Sequence, residues 1–144
     1  MYLTREADYA VRCVLYLSRE ADRIASAAEI SKAAHIPKGF LAKILQRLAK
    51  RGIVRSTKGA AGGFALSKSA EEVCVFEVIE ALQGPCAINA CAVDENACDL
   101  SAVCAVHPIW VELRQVIEGR LKRETFATLI KRKNGGPTRI RKAR

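Results

Sequence analysis

The order of helix and turn signals between Ser26 and Lys68 constrains the fold more than any other feature of this 144-residue chain. Ser26-Ala-Ala-Glu29 has the form of a capping box: the serine hydroxyl is placed to accept a backbone N–H and the glutamate to reach back. A short helix therefore starts there and ends near Ala34. Pro37 suits the first turn of the next helix, where its missing N–H costs nothing, and Phe40, Leu41, Ile44, Leu45 and Leu48 give that helix one apolar face before Gly52 ends it. Ile53 to Lys58 and Gly63 to Lys68 read as two strands, joined by Gly59-Ala-Ala-Gly62, whose glycines permit the positive φ of a hairpin turn. Two short helices with a tight break between them, followed by a glycine-tipped hairpin, describe a winged helix-turn-helix. Ahead of them, Ala7, Ala10, Val11, Val14, Leu15 and Leu17 recur near the helical period, so a first helix spans about Arg5 to Arg19 with Thr4 as its cap.

The formal charge of +9 is spread unevenly, and its distribution says more than its size. Residues 1–36 are balanced, whereas residues 37–68 hold eight bases and no acid. Residues 69–130 are net acidic, and the tail from Lys131 onward carries seven bases. A basic middle segment coinciding with the helix-turn-helix and its hairpin implies a polyanion partner, double-stranded DNA. A charge run alone is commonly a solvated face; the combination with ordered helix and hairpin signals favours nucleic acid. Lys38, Gly39, Ala42 and Lys43, at the start of the third helix, are candidates for the major groove. Arg47 lies on the basic flank of that helix, Arg55 on the first strand, and Lys58, Gly59 and Gly62 at the wing, with Lys58 the candidate for the minor groove.

No run of about 18 apolar residues is present to span a bilayer. The start M-Y-L-T-R-E-A-D is charged where a signal peptide turns apolar, so a cytoplasmic location is expected. In a reducing compartment thiols are more often metal ligands or redox groups than disulfides. Six cysteines occur. Cys13, in an apolar helical pattern, and Cys74, between Val73 and Val75, read as small buried core residues. Cys86, Cys91, Cys98 and Cys104 cluster in one stretch, and the last three with His107 have the spacing C-x6-C-x5-C-x2-H. Thiolates are the soft donors preferred by zinc and iron–sulfur clusters, and gaps of five and six residues are wider than the usual paired cysteines of zinc fingers. If the following helix begins near Val103, Cys104 and His107 share one of its faces. Four free thiols and a zinc site remain the other readings of the same residues, and His107 also fits a core or capping role.

The segments L-T-R-E-A-D-Y-A-V-R, I-P-K-G-F-L-A-K-I-L-Q-R-L, S-T-K-G-A-A-G-G-F-A-L, V-I-E-A-L-Q-G-P and C-A-V-H-P-I-W together resemble the Rrf-two family of bacterial winged-helix repressors, over nearly the whole chain. The resemblance implies a homodimeric repressor that binds an operator and holds an iron–sulfur cluster on Cys91, Cys98 and Cys104. His107 matches the fourth ligand of [2Fe-2S] members. Asp8 matches a carboxylate that the partner subunit contributes in [4Fe-4S] members, and alternatively favours the first turn of its own helix through the dipole. We favour [2Fe-2S], because His107 sits in the same local segment as the cysteines. The first cysteine gap is one residue longer than is usual in the family, and Cys86 is a further thiol able to replace Cys91 or to act in redox chemistry. Ala42 stands where some members place a base-reading glutamate, so their operator sequence does not transfer.

Beyond the cysteines, Ile109, Trp110, Leu113, Val116, Ile117 and Leu121 continue a helical stripe to about Arg123, longer than one winged helix needs for itself. It is expected to pack on the same helix of a second subunit, forming a two-fold dimer that reads a pseudo-palindromic operator. The expected layout is a mainly α chain with a small β-hairpin wing. Residues 1–83 form the winged helix-turn-helix, 84–106 the cysteine loop, 107–130 the dimerisation helix with a short helix after it, and 131–144 a disordered basic tail. No C-x-x-C pair, phosphate-binding glycine loop or supported nucleophile arrangement is present, so an enzyme is not expected. A winged-helix regulator without a metal, sensing a small molecule, thiol oxidation or a protein partner, is the alternative function.

Overall fold

The computed structural model describes residues 2–134. Its elements run in the order α1 (Arg5–Leu17), α2 (Ala27–Ala34), α3 (Lys38–Lys50), β1 (Val54–Thr57), β2 (Gly63–Leu66), α4 (Val75–Gln83), two 3₁₀ turns (Ala90–Ala92 and Glu95–Ala97), α5 (His107–Lys122) and α6 (Phe126–Asn134). This is a mainly α winged helix with a two-stranded antiparallel wing.

Local chemistry explains the boundaries. Thr4 caps α1 by accepting the Ala7 N–H at 3.2 Å. The helix stops at Leu17, two residues before Arg19, where the Ser18 hydroxyl donates to the Val14 carbonyl at 2.6 Å. The capping box forms as expected: Ser26 Oγ accepts the Glu29 N–H and Glu29 Oε2 accepts the Ser26 N–H, each at 3.2 Å. His35 takes a left-handed conformation (φ 53°) to end α2, so the break before α3 is a single tight turn. β1 pairs with β2 in the register Val54↔Leu66 to Thr57↔Gly63; β1 is one residue shorter than expected at each end, and β2 starts at Gly63 as expected but ends two residues early. Ala25 bridges to Phe64 beside them, tying the α1–α2 connection to the wing.

The core lies where α1, α3 and α4 meet, around Cys13, Val14, Leu17, Ile44, Leu48 and Val78, all essentially fully buried. Phe126, the first residue of α6, is also completely buried in that core. The short last helix therefore belongs with the winged helix, not with α5 as the sequence pattern suggested. Its backbone docks through Phe126 N–H to the Val73 carbonyl (3.1 Å) and Ala127 N–H to the Ala70 carbonyl (2.9 Å). Two further expectations need correction. Cys74 is only partly buried and caps α4, its N–H donating to Glu77 Oε2 at 3.1 Å, because the chain must turn there into the helix. The tail expected from Lys131 begins inside α6, which continues to Asn134; residues 135–144 lie outside the described residues.

Candidate nucleic-acid interface and cysteine loop

The first two turns of α3 present Lys38, Gly39, Ala42 and Lys43 to solvent. Pro37 stands at its N-cap and provides no side-chain hydrogen bond, so the positive end of the helix is left for an external acceptor. Lys58 is exposed in the wing turn, and Arg55 on β1 is exposed with Asp22 as a loose neighbour at 4.0 Å. Gly59 adopts φ +108°, and a Cβ on Gly62 would run into the Thr57 carbonyl oxygen, so both glycines are accounted for by the shape of the turn. Two of the expected DNA-facing cations also pair within the chain. Lys43 Nζ lies 3.1 Å from Glu6 Oε1, and Arg47 lies 3.1 Å from Glu6 Oε2 while also donating to the Leu82 carbonyl at 2.8 Å.

The cysteines meet different environments. Cys86 is fully buried; burial first, then the negative charges of Glu118 and Glu80, pushes its thiol up from the ordinary value. It does not face the loop surface. Cys91 sits in the first 3₁₀ turn and is partly buried, Cys98 is exposed, and Cys104 is partly buried. α5 begins at His107, four residues later than the helix start at Val103 on which a shared Cys104–His107 face depended. Pro108 explains the delay, since proline is tolerated in the first turn and excluded from the interior. Cys98 and Cys104 instead each open a turn: the Cys98 carbonyl accepts the Ser101 N–H at 3.1 Å, and the Cys104 carbonyl accepts the His107 N–H at 3.2 Å.

Cys98 and His107 line one cleft of about 490 Å³ with Glu95, Asn96, Asp99 and Ser101. Of the side chains that line it, His107 Nδ1 and Ser101 Oγ are themselves buried, with no hydrogen-bond partner. A buried polar atom left unpaired is costly and asks for an acceptor, a donor or a metal. That donor chemistry fits a soft metal group, but the loop does not assemble all the ligands: among the described residues, no three His, Cys, Asp or Glu side chains are grouped to hold a metal ion. Asp8, the alternative ligand from a partner, pairs with Arg12 of its own helix at 2.6 Å and is half-exposed.

Sequence reasoning passed over Ser101, which has no pattern of its own. It also passed over Arg114, whose guanidinium donates to the Ala92 carbonyl and to Glu118 Oε1, each at 2.7 Å. The Arg114–Glu118–Lys122 spacing on α5 is a legible signal for a salt-bridged face.

Residues 3–132 match the family model Rrf2, described as an iron-dependent transcriptional regulator. The chain belongs to the Rrf2 family. An Aquifex aeolicus protein with a provisional helix-turn-helix regulator name is 36% identical over 124 residues, covering 85% of this chain and 86% of that protein. The regulator IscR of Serratia proteamaculans is 32% identical over 131 residues, covering 90% of this chain and 79% of IscR. Among solved structures, IscR of T. potens superposes with a TM-score of 0.77 at 19% identity, over 97% of this chain and 94% of that one. CymR, the global cysteine regulator of B. subtilis, superposes at 0.75 and 18% identity, over 92% and 98%. These two structures speak for the fold. As an Rrf2 protein the chain is a DNA-binding transcriptional regulator. No helix among the described residues is long and apolar enough to cross a membrane.

Proposed function

We propose that this Rrf2 regulator works as a homodimeric repressor whose operator affinity responds to an iron–sulfur cluster held by the cysteine loop. The observation that carries this reading is the unpartnered, buried Nδ1 of His107, a residue that lines one cleft with Cys98. Cys91, Cys98, Cys104 and His107 would hold the group, with [2Fe-2S] favoured over [4Fe-4S] for the reason given by His107's local position. When bound, such a cluster supplies one-electron redox chemistry and iron accessible to oxygen and nitric oxide. The chain's own part is to keep Cys91 on α5 through Arg114 and the Ala92 carbonyl, and to keep Cys86 out of reach in the core.

Dimerisation is supported by α5, in which no residue is buried although Ile109, Leu113 and Val116 are 50%, 37% and 61% exposed. With Val106, which is 43% exposed, they fall at spacings of three and four residues, a stripe suited to a second copy of the same helix. Lys38, Gly39, Ala42, Lys43, Arg55 and Lys58 are the proposed DNA contacts.

The second reading keeps the DNA-binding half and dispenses with the metal, so that the loop senses a small molecule, thiol oxidation or a protein. What favours it is that the loop leaves Cys91 and Cys104 outside the cleft formed by Cys98 and His107. Anaerobic purification, absorption spectra and iron and sulfide quantification separate the two. The cluster reading expects a coloured protein that loses iron when Cys91, Cys98 or Cys104 is replaced singly by Ala and keeps it in Cys86→Ala. Colourless, iron-poor protein from oxygen-free cells supports the metal-free regulator.

A further inference from the structure

The guanidinium of Arg47 joins three helices. A single nitrogen, Nη1, donates to the Leu82 carbonyl at 2.8 Å and lies 3.1 Å from Glu6 Oε2, partners 35 and 41 residues away in sequence. Leu82 is the penultimate residue of α4, so its carbonyl is among the four that a helix end leaves without an intrahelical partner. Gly84 N–H satisfies Glu80; Arg47 satisfies Leu82, placing a cation at the negative end of the helix. Next to it, Gln83 Oε1 accepts the N–H of Thr4, the residue that caps α1.

The position of this joint gives it consequence. Gly84, at φ +80°, turns the chain directly into Pro85 and the fully buried Cys86, so the end of α4 is the root of the cysteine loop. On the other side, Lys43 and Arg47 stand one turn apart on α3 and both pair with Glu6 of α1. A shift of the Leu82 carbonyl removes one of the two acceptors that orient Arg47, on the helix that carries Lys38, Gly39 and Ala42.

We propose that Arg47 is a positioning residue through which the root of the cysteine loop and the DNA-reading helix move together, and that it makes no DNA contact of its own. The inference rests on DNA binding by the winged helix and does not depend on any metal in the loop. The rival role is binding to a backbone phosphate, which salt dependence distinguishes. Removing a cation that neutralises one phosphate lowers the slope of log affinity against log salt by about 0.9.

The test uses the full chain and a duplex that the wild-type chain selects from a randomised pool. Hydrogen–deuterium exchange is read over residues 84–94 with and without that duplex, and affinity is titrated against salt. Coupling is reciprocal, so duplex binding should slow exchange at the loop root in the wild type. Arg47→Gln should weaken binding about tenfold, equivalent to about 1.4 kcal/mol, with the salt slope unchanged. Arg47→Lys keeps the charge and the helix propensity but ends one bond short of the position of Nη1, and should lose the exchange response while remaining folded. A slope reduced by about 0.9 in Arg47→Gln overturns the proposal. So does an exchange response at residues 84–94 that is absent from the wild type or retained in Arg47→Lys. A wild-type chain that selects no duplex would fail earlier, at DNA binding itself, and is recognised by that.

Discussion

Arg114 of α5 donates a 2.7 Å hydrogen bond to the carbonyl of Ala92, the residue that closes the turn carrying Cys91. Glu118 holds the same guanidinium from one turn along the helix, and Lys122 reaches Glu118 in turn at 3.2 Å. The loop is thus pinned to α5 at Cys91 and left open at Cys98. A charge-assisted hydrogen bond of this kind contributes about 1.5 kcal/mol. Arg114→Ala should therefore leave the winged helix folded, by circular dichroism, while increasing the rate at which iodoacetamide alkylates Cys91 about tenfold. An unchanged rate would mean that the turn is held by something else.

The thiols should separate by reactivity, because only the thiolate attacks and burial suppresses it. Cys13 is fully buried and burial pushes its thiol up to about 12. Cys86 is raised for the same reason, reinforced by Glu118 and Glu80. In native metal-free protein, mass spectrometry after brief alkylation at pH 8 should find Cys98 modified first, with Cys13 and Cys86 modified only in denaturant.

The exposed stripe on α5 predicts a self-association that breaks without loss of the fold. Ile109 and Leu113 contribute nothing to the buried core, so Ile109→Glu with Leu113→Glu should sediment as a monomer where the wild type sediments as a dimer. The far-ultraviolet spectrum should stay the same. A double variant that remains dimeric would move the interface away from this helix.

Glu124, buried where α5 meets α6, predicts a pH dependence. Burial works to raise its carboxyl, but hydrogen bonds from Arg120 and Arg132, together with their charges, outweigh it and hold it below the ordinary carboxylate range. A depressed folded-state value contributes stability that is fully present above the unfolded carboxyl value, about 4.3, and is lost as pH falls through the lower folded value. Glu124→Gln should lower Tm clearly at pH 7 and much less near pH 2, measured by calorimetry. Equal losses at both pH values would show that packing, not charge, is what Glu124 supplies.

What could be read from the sequence was local. Ser26 and Glu29 form their capping box because both halves lie within one helical turn, and Pro37, Gly52 and the wing glycines act on their own backbone. Pro108 was equally legible and stands in the first turn of α5, which starts at His107. Long-range choices were not legible. Arg47 looks like one more base in an acid-free run, and only the fold brings Glu6 and the end of α4 to it. Phe126 gives no hint, just past the end of a long apolar stripe, that it completes the core of the first helices. The cysteine spacing announced a soft-metal site, whereas the unpaired nitrogen of His107 and the hydroxyl of Ser101 emerge only from burial.

The most direct test of the account compares operator affinity, at one fixed salt concentration, between anaerobically purified, iron-loaded protein and the same protein stripped of iron. The account predicts at least a tenfold difference, which requires about 1.4 kcal/mol of coupling between loop and reading helix. Equal affinities in the two states would contradict it.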